Sequence, residues 1–295
     1  DLVKKAKAEG VEDDLIKRLK KLFNINKFFT NTDLPQKTIN QLLRLRKQGK
    51  PMKVVQQANL LMRQYRGSFL LWNILGASYK DLTQFDEAIK AFKKAIELNP
   101  FDADGHNNIG VAFQEQGNLE KAIEAFKKAI SLNPNQAEAH YNLGNSLDYQ
   151  GKTDDAIKSF KKAISINPNY FKAYNNLGNA FKNQNKLDEA IKSYSKALSI
   201  KPDFAAARSQ KLYQQAQISD WPAIENDRSF LIDLGIIGQS IPPLSILSFE
   251  DAPARHRLRS ENYVREMFPQ AALPLPAKPA TMPQRLRIGY FSGDY

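Results

Sequence analysis

Between Phe69 and Phe204 the apolar positions recur with a long period. Asn99-Pro100, Asn133-Pro134, Asn167-Pro168 and Lys201-Pro202 place four prolines 34 residues apart. The spans 69–102, 103–136, 137–170 and 171–204 then share one pattern, the signature of a repeat architecture. Position 4 of the span is Trp72, His106, His140 and Tyr174, and position 7 is Leu75, Ile109, Leu143 and Leu177. Position 8 is Gly76, Gly110, Gly144 and Gly178, and position 11 is Tyr79, Phe113, Leu147 and Phe181. Positions 20 and 27 are alanine throughout, at Ala88, Ala122, Ala156 and Ala190 and at Ala95, Ala129, Ala163 and Ala197. Position 24 is Phe92, Phe126, Phe160 and Tyr194. Positions 4, 7, 8 and 11 share one face of a first helix, and 20, 24 and 27 one face of a second. Glycine and alanine let the two helices come close, and the rings fill the remaining space. Proline bars its predecessor from the helical region, so each second helix ends there. One hairpin cannot bury its apolar face alone, so the pattern predicts hairpins stacked into a solenoid.

A weaker copy precedes the four, at 35–68. Gly49 falls where Gly117 and Gly151 fall, Val54, Ala58 and Leu61 take positions 20, 24 and 27, and Arg66 replaces the proline. This span is expected to cap the stack. Residues 1–34 are expected to be a helical cap, in which Leu15, Ile16, Leu19, Leu22 and Phe23 make an apolar face among lysines. Such a face suits a membrane surface, but docking on the end of the solenoid is the simpler reading. After Pro202 a further helix is expected over 203–218, then a helix from Trp221-Pro222 to about Leu234, an extended stretch from Ile241 to Phe249, and a helix from Asp251 to about Phe268 with Pro253 in its first turn. Arg255, His256, Arg257 and Arg259 on that last helix are read as a solvated basic face. Pro269, Pro274, Pro276, Pro279 and Pro283 mark 269–284 as a stiff linker. Residues 285–295 read as a β-strand entering a glycine turn.

The pattern of 69–204 resembles the tetratricopeptide repeat. The resemblance implies an all-α fold, a right-handed solenoid of helix hairpins, followed here by a mostly helical spacer over 205–268 and one strand of a truncated α/β domain. It also implies that positions 2, 5, 6, 9, 12 and 13 face a concave groove. Those positions are rich in carboxamides: Asn73, Asn107 and Asn175 at position 5, Asn108, Asn142 and Asn176 at position 6, Asn145 and Asn179 at position 9, with Tyr141 at position 5 of the third repeat. A carboxamide offers two donors and an acceptor, which matches a peptide unit. These nine residues are therefore the expected contacts to an extended peptide backbone; the competing reading is that asparagine at position 6, common in such repeats, simply solvates the face or bonds a neighbouring helix. The subfamily that clamps C-terminal carboxylates needs basic residues at positions 2 and 6; position 6 carries none, and position 2 offers only Lys172. His106 and His140 are read as packing residues. The Lys-Lys pairs at 93–94, 127–128 and 161–162 are read as solvated faces offset by acidic pairs such as Asp86-Glu87 and Asp154-Asp155.

The string Arg285-Leu286-Arg287-Ile288-Gly289-Tyr290-Phe291-Ser292-Gly293-Asp294-Tyr295, after the repeats, a helical spacer and a Pro-rich joint, resembles the O-linked N-acetylglucosamine transferases, their bacterial relatives and the Spindly type included. The resemblance implies a chain cut at the start of a glycosyltransferase domain. The donor would be a nucleotide sugar, UDP-N-acetylglucosamine, the acceptor a Ser or Thr hydroxyl on a protein, and the repeats would recruit it. The catalytic and donor-binding residues would lie beyond Tyr295, so none is assigned, and residues 1–295 alone are expected to transfer no sugar. A homodimer through the repeats is an arrangement the resemblance allows. A non-enzymatic scaffold, or repeats attached to another transferase, remain the alternatives.

Composition narrows the partners. The 295 residues include no cysteine and three histidines, which excludes a disulfide scaffold, a thiolate metal site and a cysteine nucleophile. The net charge of +12 sits at one end: residues 1–68 carry 16 basic and 6 acidic side chains, 69–204 carry 17 and 16, and 205–295 carry 10 and 9. A nucleic-acid groove needs a basic stripe along the repeats, so no nucleic acid is expected there. No apolar run is long enough to span a bilayer and no signal peptide is visible, so the expected setting is cytoplasmic. The first residue is Asp1 rather than Met, and the native N-terminus is expected upstream.

Overall fold

The computed structural model describes residues 34–242, 249 and 252–268. They divide into two units, one up to Trp221 and one from Pro222 onward. The expected helical cap at 1–33, most of the extended stretch after Ile241, the Pro-rich linker and the strand at 285–295 lie outside the described residues.

The first unit is a run of helix hairpins: α1 (Gln36–Lys47) and α2 (Pro51–Leu61), α3 (Phe69–Asp81) and α4 (Phe85–Leu98), α5 (Ala103–Glu115) and α6 (Leu119–Leu132), α7 (Ala137–Tyr149) and α8 (Thr153–Ile166), α9 (Phe171–Asn183) and α10 (Leu187–Ile200), closed by α11 (Ala205–Gln217). Each helix packs on the next in sequence, and successive first helices touch one another. This is the stacked arrangement the 34-residue period predicts, extended by α1 and α2 at one end and α11 at the other.

The shared positions do the same work in each hairpin. The ring at position 24 lies on the glycine at position 8: a Cβ added to Gly76, Gly110, Gly144 or Gly178 would stand 2.8, 2.6, 2.6 or 2.6 Å from the ring of Phe92, Phe126, Phe160 or Tyr194. All four rings are buried. Second helices open on acidic first turns, Asp86-Glu87, Glu120, Asp154-Asp155 and Asp188-Glu189, which favour the positive end of the helix dipole. They end at Asn99, Asn133, Asn167 and Lys201, each non-helical before its proline. First helices end in a left-handed residue at position 15. It is Gly49, Gly117 or Gly151 in three hairpins, but Thr83, Asn185 and Ser219 elsewhere, each with φ 58°.

Position 4 is more than packing. The His106 and His140 Nε2–H groups donate to the carbonyls of Pro100 and Pro134, at 3.2 and 3.1 Å. Trp72 Nε1 donates to Arg66 O at 2.9 Å and an Arg208 guanidinium N–H to Pro202 O at 2.9 Å. The residue six before is thus held to the first helix in each case, whether or not it is proline. Burial lowers the pKa of His140 against the raising effect of that carbonyl.

The second unit departs from expectation in two ways. The single helix predicted from Trp221 to Leu234 is two short ones, α12 (Trp221–Asn226) and α13 (Arg228–Leu231). Trp221 opens α12 because Pro222 fits a first turn. The last helix, α14 (Pro253–Met267), is close to expectation, but Arg259 on it is fully buried rather than solvated. Its guanidinium donates to the Leu234 carbonyl at 2.8 Å and to the Leu231 carbonyl. Asn262 Nδ2–H donates to Ile236 O at 2.6 Å, and Glu266 accepts from the Ser240 N–H at 2.9 Å. One face of α14 therefore holds the 231–241 loop by its backbone. Charge alone could not reveal this, since Arg257 in the same cluster is exposed and Arg255 half-buried.

Candidate functional site: the first-helix face

Helical spacing puts Asp104, Asn108, Val111 and Glu115 on one stripe of α5, Glu138, Asn142, Asn145 and Tyr149 on one stripe of α7, and Lys172, Asn176, Asn179 and Asn183 on one stripe of α9. The stripes adjoin because side chains bond across successive first helices. Asn142 Nδ2 donates to Asn107 Oδ1 at 3.0 Å. Asn176 Nδ2 donates to Asn145 Oδ1 at 2.8 Å and to Tyr141 Oη at 3.2 Å. Ser146 Oγ donates to Gln114 Oε1 at 3.0 Å. Within the last repeat Asn175 donates to Asn176 Oδ1 and Tyr194 Oη to Asn179 Oδ1. Asn73 donates to Asp102 at 2.9 Å, the last residue of its own repeat and the N-cap of α5.

The expected peptide ladder is thus also a set of ties between repeats. Asn73, Asn107, Asn142 and Asn175 are buried, while Asn108, Tyr141, Asn145, Asn176 and Asn179 are half-buried. Asn108 alone among the nine makes no side-chain hydrogen bond, and the sequence explains why. The residues that meet Asn176 are at positions 9 and 5 of the preceding repeat; before Asn108 these are Ala77, which has no acceptor, and Asn73, which is turned to Asp102. The Oδ1 atoms of Asn73 and Asn175 are buried without a partner.

Charge is not even along the face. Asp104 and Glu115 on α5 and Glu138 and Asp148 on α7 are acidic; Lys172 and Lys182 on α9 are basic. Burial raises the pKa of Asp148, with Lys182 opposing. Burial likewise raises Tyr141, eased by its bonds to Asn145 and Asn176.

A second set of ties went unread in the sequence. Gln116, Gln150 and Gln184, at position 14, donate to Asp86, Glu120 and Asp154, at position 18 of the repeat before, at 2.7, 3.2 and 2.7 Å. Both members recur every 34 residues, so the signal was present. The acidic pairs are divided in role: Asp154 takes the glutamine, Asp155 pairs with Lys158 at 2.9 Å. At the junction before the first full repeat Arg46 pairs with Asp81 instead, at 2.5 and 3.1 Å.

Among the described residues no group of histidine and carboxylate side chains could hold a metal ion, and no helix is long and apolar enough to cross a membrane.

The geometry defines a class, a solenoid of helix hairpins whose first helices line one polar face. Residues 76–117 and 113–148 match the TPR repeat family and residues 137–170 and 171–204 the tetratricopeptide repeat. The chain belongs to the tetratricopeptide-repeat proteins. The crystal structure of MamA is similar at 30% identity, with a TM-score of 0.50, over 55% of this chain and 95% of that one. Pseudomonas aeruginosa PilF is similar in fold at 17% identity and a TM-score of 0.60, over 66% of this chain and 89% of that one. A thermophilic TPR protein of Thermus thermophilus, TTC0263, is similar in fold at 20% identity and a TM-score of 0.52, over 61% and 98%. No curated protein sequence gives a significant match.

Proposed function

We propose that the chain is a protein-interaction module of the cytoplasm that holds an extended polypeptide segment along its first-helix face. The observation that carries this reading is the continuity of that face: three adjoining stripes, tied to one another by carboxamides, with unpaired polar groups at Asn108, Glu115 and Glu138 left open to a ligand. Replacing Asn142 or Asn176 would disturb the stack and the ligand together. Asn108 separates the two, since it ties nothing. Asn108→Ala is expected to weaken binding of extended peptides selected on the whole chain, read by calorimetry, while the melting temperature stays unchanged. Equal affinity would remove the backbone-contact role from this face.

The finer proposal is that the bound segments are acceptors for a nucleotide-sugar-dependent protein O-glycosyltransferase using UDP-N-acetylglucosamine. Its support is the 285–295 string together with the repeats. A non-enzymatic scaffold accommodates the same observations of the repeats equally well. Proteins captured from an extract by the chain, then probed for Ser- or Thr-linked N-acetylglucosamine, separate the two: abundant modification favours acceptor recruitment, and none favours the scaffold.

A further inference from the structure

The first-helix face changes character at one repeat. Position 5 is Asn73, Asn107 and Asn175 in three repeats but Tyr141 in the third, and position 34 changes from Asp102 and Gln136 in the first two repeats to Tyr170 and Phe204 in the last two. The two departures meet in space. The rings of Tyr141 and Tyr170 have centroids 5.0 Å apart and are tilted by 39°. Both are half-buried. Phe160 backs Tyr141 at 6.1 Å, and Asn176 donates to its hydroxyl. Glu138 lies three residues before Tyr141, one turn along the same helix, where it is exposed and makes no ion pair. Burial, then Tyr141, then the Glu138 carboxylate all push the Tyr170 phenol upward.

The stack itself does not require tyrosine here, because asparagine serves at position 5 of the other three repeats. Two phenol rings beside an unpaired carboxylate are instead suited to a cation. The ring faces attract a guanidinium or ammonium group, and the carboxylate completes the site with charge-assisted hydrogen bonds. We propose that Glu138, Tyr141 and Tyr170 form a subsite for an arginine or lysine side chain of a polypeptide lying along the first-helix face. This rests on the protein-binding reading above and names the ligand chemistry that reading leaves open. The charge of the face gives the bound segment a direction. Its basic residues lie over the third and second repeats, where Asp104 and Glu115 are also acidic, and are disfavoured over the fourth, where Lys172 and Lys182 stand.

The test is selection of a displayed library of short random peptides on the whole chain and on two variants, Glu138→Lys and Tyr141→Asn. The first changes an exposed residue, and the second installs the residue the other repeats carry. Arginine and lysine should be enriched by the unaltered chain, and both variants should lose the enrichment. A selected peptide should bind Glu138→Lys about tenfold more weakly, a moderate loss for a part-exposed charge site. Changing the peptide's key arginine to glutamine should cost the same on the unaltered chain and little on the variant, a coupling that a merely structural role would not produce. Peptides selected without basic enrichment, or undiminished binding by Glu138→Lys, would overturn the subsite while leaving the protein-binding reading intact. Failure of any peptide to bind would overturn both.

Discussion

The repeat stack and the unit from Pro222 onward are held together by different means. In the stack the same small contact is made several times: glycine under a ring, a position-4 side chain on a carbonyl, glutamine on the acidic group of the repeat before. In the second unit one buried guanidinium takes two backbone carbonyls of the 231–241 loop. A solenoid's stability is roughly a sum of repeat and nearest-neighbour terms, so loss of one copy is felt locally. The guanidinium is not repeated: beside it the loop keeps the part-buried tie to Asn262 and the exposed one to Glu266.

Arg259→Ala should therefore be the most damaging single change. It strips donors from two carbonyls in a buried setting, each worth on the order of 1–3 kcal/mol when orphaned, and leaves a large void. The expected loss is about 3 kcal/mol or more. Hydrogen exchange should show protection lost across 253–267 and kept across 137–200. Arg259→Lys should recover only part of it, because an ammonium cannot reproduce the planar fork. Unchanged protection of 253–267 in the alanine variant would dissolve the contrast between the two units.

Gly144→Ala should come next. Alanine improves intrinsic helix propensity by about 1 kcal/mol, but its Cβ would stand 2.6 Å from Phe160, and overpacking costs about 1–3 kcal/mol. A net loss of about 1 kcal/mol is expected by denaturant titration. Phe160→Leu in the same chain should relieve the clash and couple to it, so the double variant should lose less than the two single losses combined. Simple additivity would mean that the ring and the glycine do not oppose one another.

The stack was legible because its constraints recur. Gly144 and Phe160 carry the same meaning as Gly110 and Phe126, and four copies make a pattern from residues that are ambiguous singly. The carboxamides were legible as a row but not in their bonding. Asn142 and Asn108 occupy the same position, and only the neighbour in the preceding repeat decides that one is tied and the other open. The glutamine ties had the same period and were missed because a surface glutamine beside an acid looks like solvation. Arg259 had no repeat to expose it. In a basic cluster with Arg255 and Arg257 its burial depends on where the 231–241 loop runs, which is a tertiary fact without a local signature.

The smallest expected effect sharpens the contrast from the side of the turns. Position 15 is left-handed in every hairpin and before Asp220, yet Thr83, Asn185 and Ser219 hold it with φ 58° where Gly49, Gly117 and Gly151 stand elsewhere. A β-branched residue is poorly suited to that conformation, and asparagine tolerates it better. Thr83→Gly removes the strain but frees the unfolded chain, so the two effects partly cancel. A gain of about 0.5 kcal/mol is expected for Thr83→Gly and less for Asn185→Gly. The reverse change isolates the backbone term: Gly117 has open space where a Cβ would go, so Gly117→Ala meets no clash and should still lose about 1 kcal/mol. Thermal unfolding of the three variants gives the ranking. If Gly117→Ala were neutral, conformation at position 15 would not be what ends the first helix, and the ends would have to be set by Gln116, Gln150 and Gln184 bonding to the repeat before.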